Sequence, residues 1–337
     1  MIIDSSAPTR IDLAGGTMDI WPLYLFHERA QTINVAISLR ARCTLTPRPD
    51  HRIVIRSDDT GAQVDVSHWS DLRANHDLKL LGRILHHFEV DGLEVRTRAE
   101  SPVGAGIAGS SAMNVAVCGA VAKWRGLDLS DDQLLEIAMN VEAQTIDVPT
   151  GVQDYRPALH GGVSAVELRV NGVRRVPLAV DAEQLQRRLV LAYTGASRNS
   201  GINNWEITKR HIDGDRDIHA AFERIRDISV ALRAALERHD WEAVGREIEA
   251  EWEVRKRLAP GVTTPVIDAL MMRARRAGAR AAKVCGAGGG GCLFCFTEPE
   301  HVPAVRAALT EAGARVLDFT IEARGLVLET TPVGAPA

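Results

Sequence analysis

At roughly 150 residues per domain, a chain of 337 residues is long enough for two domains with cores of their own and a cleft between them. Hydrophobic residues at 45% and charged residues at 25% are ordinary for a globular protein, and a formal net charge of -4 provides no basic surface for a polyanion, which argues against a nucleic-acid partner. No apolar run approaches the roughly 18 residues of a membrane span, and Met1 to Asp12 lacks a basic start followed by an apolar stretch, so a cytoplasmic protein with no membrane partner is expected.

The first chemical feature is RIDLAGGTMDI, Arg10 to Ile20, a tight strand-turn unit carrying an arginine, two glycines and Asp19. An arginine beside a catalytic aspartate would keep the acid ionised; a surface salt bridge is the other reading. Thr32 to Arg48 and Arg52 to Ser57 alternate apolar and polar residues with β-branched enrichment, as half-buried strands do. His76 to Phe88 places Leu78, Leu81, Ile84, Leu85 and Phe88 at helical spacing, and Leu93 to Thr97 is a short strand that feeds a glycine-rich loop.

That loop is SPVGAGIAGSSAM, Ser101 to Met113. Its glycines let the backbone approach a ligand, and Ser110 or Ser111 can cap the apolar, alanine-rich helix that follows, whose N-terminus would attract an anion. It fits neither GxxxxGK[ST] nor GxGxxG before a βαβ unit, and a packing turn would explain it equally well. The next helix, from about Ser130, buries Leu134, Ile137, Ala138 and Val141 and delivers Glu142 just beyond that stripe. Asp147 to Gly162 then reads as rigid irregular backbone carrying Asp154, 12 positions after Glu142, so both carboxylates could meet at one magnesium-phosphate site; a solvated Glu142 is the alternative.

Further strands are expected over Gly162 to Leu168 and Arg188 to Tyr193, followed by helices over His219 to Arg238, Trp241 to Arg257 and Pro265 to Ala277. The closing helix, strand (Cys292 to Phe296), helix (Val302 to Ala312) and strand (Arg315 to Glu322) has the pattern of a ferredoxin-like half. The expected division is 1–184, 185–329 and a frayed tail over 330–337. A second glycine run, Gly286 to Gly291, costs about 0.5 to 1 kcal/mol per residue relative to alanine in regular structure, so it implies close approach to a ligand or to the first loop, or else a bulge. Cys43, Cys118, Cys285, Cys292 and Cys295 are scattered among apolar neighbours, and the lone CxxC within GGGGCLFCF reads as buried strand rather than as a metal site.

Taken in order, RIDLAGGTMDI, PVGAGIAGSSA, GVQDYRPALHGGV and KVCGAGGGGC resemble the signature segments of the GHMP kinase superfamily over nearly the whole chain. The resemblance implies an α+β fold: an N-terminal domain of ribosomal protein S5 domain 2-like type joined to a ferredoxin-like C-terminal domain. ATP and Mg2+ would lie in the cleft. By matching position, Asp154 would take the proton of the acceptor hydroxyl with Arg10 beside it, and Glu142 would bind Mg2+ with Ser110 or Ser111. Pro102, Gly104, Ala105, Gly106, Ile107, Ala108, Gly109, Ser110, Ser111, Gly288 and Gly289 would hold the nucleotide. Gly15, Gly16, Thr17, Asp19, Gly151 and Arg198 would hold the acceptor.

Arg10, together with TINVAI and YTGASR, makes the chain most similar to the D-glycero-D-manno-heptose 7-phosphate kinases within the sugar-1-kinase branch. A small-molecule sugar or sugar phosphate is the implied substrate, handled by a monomer or homodimer. Fucokinase, galactokinase or uronic-acid kinase activity, a kinase for a non-sugar alcohol such as mevalonate, and a non-catalytic ATP-binding regulator are the alternatives. The chain departs from the pattern at Thr17 and Met18, at Ala108 where glycine is usual, and at Tyr155 and Arg156 where Gln-Tyr is usual.

Overall fold

The computed structural model describes residues 1–73, 77–196 and 200–332. In chain order they form β1 (Ile2–Ala14), β2 (Gln31–Pro47), β3 (Ile53–Ser57), β4 (Gln63–Val66), α1 (Lys79–Phe88), β5 (Leu93–Ala99), α2 (Gly109–Trp124), α3 (Asp131–Ile146), α4 (Tyr155–His160), β6 (Val163–Arg169) and β7 (Gly172–Pro177). There follow α5 (Ala182–Gln186), β8 (Leu189–Tyr193), α6 (Ser200–Ile212), α7 (Arg216–Glu237), α8 (Trp241–Arg255), α9 (Pro265–Arg276), β9 (Ala279–Val284), β10 (Cys292–Thr297), α10 (Val302–Glu311), β11 (Arg315–Leu317) and β12 (Val327–Thr331).

Among the described residues, eight strands make the first sheet, along the path β12-β1-β2-β5-β3-β4 with β6 pairing β2 and β7 beyond it. Four strands make the second, in the order β11-β8-β10-β9. With α6 to α9 between β8 and β9, and α10 between β10 and β11, the second unit has the βαββαβ succession and strand order of a ferredoxin-like fold. Helix α2 is buried nearly all round because its small alanine, valine, glycine and cysteine side chains pack closely over β1 and β2. Helix α3 begins at Ser130, whose hydroxyl accepts from the Gln133 amide while the Gln133 side chain accepts from the Ser130 amide.

Several elements exceed the sequence expectation. The Arg10–Ile20 unit starts as the last five residues of a 13-residue strand and continues into a turn, the earlier part of the strand being hidden because Pro8 and Arg10 interrupt its apolar pattern. The β1–β2 register shifts at Pro8/Thr9, where a proline has no amide to give the ladder. Strand β11 stops at Leu317 rather than near Glu322, because the chain leaves the second sheet there: the Ser38 amide donates to Thr320 O and the Glu322 amide to Ala36 O. It then enters β12, whose Thr330 and Thr331, placed in the tail by the sequence reading, pair with Ile3 and Ile2. Asp154 sits at the start of the short helix α4 rather than within a wholly irregular loop. All five cysteines are buried, in keeping with a core role for the CxxC pair.

Candidate active site

The loop 101–108 lies between β5 and α2, and β1 carries Arg10 beneath it. The Arg10 amide donates to Ile107 O at 3.0 Å, and its guanidinium Nη1 donates to Gly106 O at 3.0 Å. Arg10 is 1% exposed, which removes the surface-salt-bridge reading. Its Nε donates to Asp154 Oδ1 at 3.0 Å, and Nη2 reaches the same oxygen. Burial works against the Arg10 charge, but Asp154 and Asp12 outweigh it and raise its pKa. With both arginine bonds on Oδ1, Asp154 Oδ2 is left to accept a proton, and the side chain is 30% exposed.

Helix α2 begins at Gly109 behind Ala108, whose left-handed φ of 62° turns the chain into the helix with no side-chain cap. This corrects the capping role expected of Ser110 or Ser111, which lie inside the first turn. Ser110 Oγ instead donates to Glu142 Oε1 at 2.7 Å, while Tyr155 Oη donates to Glu142 Oε2 at 2.6 Å. Glu142 is buried, not solvated. Burial raises its pKa, against the bonds from Tyr155 and Ser110 that favour the ionised form. A carboxylate and a hydroxyl offer oxygen donors alone, which suits Mg2+. The uncapped helix start offers amide hydrogens and a positive dipole end to phosphate.

The second glycine run closes against the first loop. A Cβ at Gly291, where φ is +77°, would stand 2.6 Å from Ala105 O, and the Cys292 amide donates to that carbonyl at 2.6 Å. Gly288 and Gly289 pack on Val262, with the Gly289 amide donating to Val262 O at 2.8 Å.

Two cavities meet here. One of about 370 Å³ is lined by Pro102, Gly104, Ala105, Gly106, Ala108 and Gly109 of the loop, with Ser110 and Asp77 beside them. The other, of about 90 Å³, is lined by Arg10, Thr17, Asp19, Gly151, Asn204 and Ala287, among others. Ser111, Glu142 and Asp154 line both. Among the residues expected to hold the acceptor, Thr17, Asp19 and Gly151 therefore come together. Gly15 packs on the Gln31 backbone, and Gly16 O accepts from Arg255 Nη2 at 2.8 Å. Neither borders the smaller cavity, whereas Gly286 and Ala287, of the second glycine run expected to approach a ligand or the first loop, do. Arg198 lies outside the described residues.

Asp19 is 1% exposed and accepts from the Gln153 amide at 2.9 Å. A Cβ at Gly151 would fall 2.0 Å from its Oδ2, so glycine is what lets the carboxyl lie against this backbone. Burial, and then the charge of Asp154, push the Asp19 pKa up to about 7. The folded protein thus holds a proton here that the unfolded chain releases near pH 4. The contribution of Asp19 to stability therefore falls, by about 1.4 kcal/mol per pH unit at most, as pH rises from about 4 to about 7. Asp19→Asn should abolish this dependence: relative to wild type, the variant gains stability in denaturant titrations from pH 5 to pH 7 and then levels off. A difference that is constant with pH would mean that the carboxyl is already ionised at pH 5.

Beneath both cavities runs an ion network that the sequence reading missed. Lys283 of β9, fully buried, donates to Asp12 Oδ2 at 2.6 Å and to Asp12 O at 2.9 Å, and the Gly286 amide donates to Asp12 Oδ1 at 2.7 Å. Arg255 is held by Glu251 and reaches Thr17 Oγ1 at 3.1 Å. Burial opposes the Asp12 charge, but Lys283, Arg10 and Arg255 prevail and hold its pKa at about 2. The available signal was a charge set among apolar residues near the end of each of two strands, Asp12 in RIDLA and Lys283 in AAKVC.

The profile of the GHMP kinases N terminal domain matches residues 75–162, and that of the GHMP kinases C terminal domain matches residues 232–315. A D-glycero-alpha-D-manno-heptose 7-phosphate kinase of Campylobacter jejuni is 28% identical over 336 residues, covering 96% of this chain and 98% of that one. A mevalonate kinase of Thermococcus sibiricus is 27% identical over 241 residues, covering 71% of this chain and 69% of that one. The crystal structure of a D-glycero-D-manno-heptose 1-phosphate kinase from Bacteriodes thetaiotaomicron superposes with a TM-score of 0.78 at 24% identity, covering 98% of this chain and 99% of that one, which establishes the shared fold. With both profiles matched in order on an S5-like and a ferredoxin-like domain, the chain belongs to the GHMP kinases and is a phosphotransferase.

Proposed function

We propose that the protein transfers the γ-phosphate of ATP to the anomeric hydroxyl of a sugar, with a heptose 7-phosphate favoured, and that Asp154 is the general base. The observation that carries this reading is the meeting of the two cavities at Ser111, Glu142 and Asp154. A phosphoryl group passing between them crosses the only wall they share among the described residues. The larger cavity takes the nucleotide, its phosphates lying on the loop and on the start of α2. Ser110 and Glu142 would hold Mg2+, which when bound neutralises charge on the nucleotide phosphates. Arg10 fixes Asp154 by two bonds to one oxygen and leaves the other facing an acceptor hydroxyl. Asp154 then takes that proton as the oxygen attacks, a contribution typically worth about 10²- to 10⁴-fold. Asp19 and Gly151 would contact the sugar hydroxyls.

A phosphorylated acceptor is supported by a groove of about 880 Å³ that shares Pro149 and Thr150 with the smaller cavity and carries Arg156, Arg169 and Arg174. The deciding measurement is magnesium-dependent ADP release with heptose 7-phosphate, free heptoses and hexoses, fucose, uronic acids and mevalonate. The expected result is turnover with the phosphorylated heptose at a kcat/KM well above that for any free sugar. Turnover with mevalonate alone would replace the sugar assignment. Tight ATP binding without turnover on any acceptor would replace catalysis with a regulatory role.

A further inference from the structure

Away from the cleft, His27 in the loop after Asp19, His211 near the end of α6 and His219 in the first turns of α7 bring ring nitrogens within 4.8 Å of one another. His27 and His211 are buried, and His219 is half-buried. The partners of these rings set their lone pairs. His27 Nδ1 faces Glu223 Oε1 at 2.5 Å, so that nitrogen donates and Nε2 presents a lone pair. His219 Nε2 donates to His211 O at 3.0 Å, which leaves its Nδ1 as an acceptor. His27 Nε2 and His211 Nε2 face each other at 2.7 Å, while His211 Nδ1 is buried with no hydrogen-bond partner. Two such nitrogens tolerate that approach only with a proton or a cation between them. A neutral His211 can move its proton to Nδ1 and free Nε2.

We propose that His27, His211 and His219 bind a first-row transition-metal dication of the Zn2+ class, with Glu223 as the carboxylate that orients His27. Three imidazoles suit zinc, cobalt or nickel and not magnesium or calcium, which require oxygen donors. The carboxylate on the remote nitrogen of His27 is the usual support of a metal-bound histidine. Phe26 and Phe222, with ring centroids 5.3 Å from His211 and 5.6 Å from His27, give the group an apolar surround. Zinc-nitrogen bonds of about 2.0 to 2.1 Å at tetrahedral angles separate neighbouring nitrogens by about 3.3 Å, so His27 and His211 open by about half an ångström on binding. The ion ties the loop that follows Asp19 to the α6–α7 pair, and α6 also carries Asn204 into the smaller cavity. Its role is to brace that wall of the site from behind.

The test uses the full-length protein, stripped with chelator and titrated with ZnCl₂ in the presence of millimolar MgCl₂. One equivalent of zinc should bind and raise the melting temperature by several degrees, and Co2+ in its place should give the visible absorption of a nitrogen-ligated site. Glu223→Gln should weaken zinc affinity about 10- to 100-fold. His27→Gln combined with His219→Gln should abolish binding, with circular dichroism and ATP affinity reporting that the fold persists. Wild-type protein that binds no stoichiometric zinc and shows no thermal shift would overturn the proposal. Unchanged zinc affinity in the folded double variant would do so equally.

Discussion

Asp154→Asn should retain ATP affinity within about twofold and lose about 10²- to 10⁴-fold in kcat, the usual contribution of a positioned base. The substitution is nearly isosteric, and asparagine keeps an oxygen to accept from Arg10 Nε, so the guanidinium beneath the loop stays in place. What disappears is the second carboxylate oxygen and its basicity. Arg10 itself is fully buried and loses a full negative charge from its surroundings, so a modest fall in melting temperature should accompany the kinetic loss. Single-turnover kinetics at saturating nucleotide separate the two effects, because reduced folding changes the active fraction and not the rate constant of the remaining enzyme. A rate constant close to wild type would remove Asp154 as the base and leave Arg10 and Asp154 as a structural pair.

The second large effect is expected from Lys283→Met. The variant leaves Asp12 buried with the Gly286 amide, Arg10 Nη1 at 3.6 Å and the charge of Arg255 as its remaining positive neighbours, and breaking a buried pair from one side typically costs about 3 to 5 kcal/mol. Urea unfolding should show a loss of that size, and the double variant Asp12→Asn, Lys283→Met should recover part of it. Because folding holds the Asp12 pKa at about 2, its contribution is complete above about pH 4 and is lost as pH falls from about 4 to about 2. Removing the lysine should move that acid transition of the wild-type protein to higher pH. The Gly286 amide rests on Asp12, and Gly291 abuts Ala105, so the damage should spread to the nucleotide side as weaker ATP binding. A variant as stable as wild type would mean that Asp12 finds compensation from Arg10 and Arg255.

Much of the site was legible in the sequence, because its chemistry is concentrated in short segments whose composition makes little sense otherwise. Glycine runs carry an energetic cost that local structure does not repay, and Gly291 shows the reason in its contact with Ala105 O. Helix α2, buried nearly all round, showed only as an apolar, alanine-rich run, whereas the helix periods of α1 and α3 announced themselves, as did the alternation in the outer half of β2, since one-sided burial leaves a regular pattern in the chain. Strand β1 did not, because its inner half is buried on both faces and its Arg10 and Asp12 are matched by partners 144 and 271 positions away.

Residue type and order by themselves determined the glycine loops, the paired carboxylates Glu142 and Asp154, the arginine ahead of them and the two-domain α+β pattern. Only the tertiary structure decided that Glu142 is buried between Ser110 and Tyr155, and that Gly15 and Gly16 lie outside the smaller cavity, packed on Gln31 and bonded to Arg255. It also decided that Lys283 neutralises Asp12 and that three histidines from a loop and two helices converge. The division follows from the range of the forces involved. Backbone conformation and amphipathic period act over a few residues and are written locally, whereas the worth of a charge or an imidazole depends on what burial places within about 4 Å of it, and that is settled when distant segments pack.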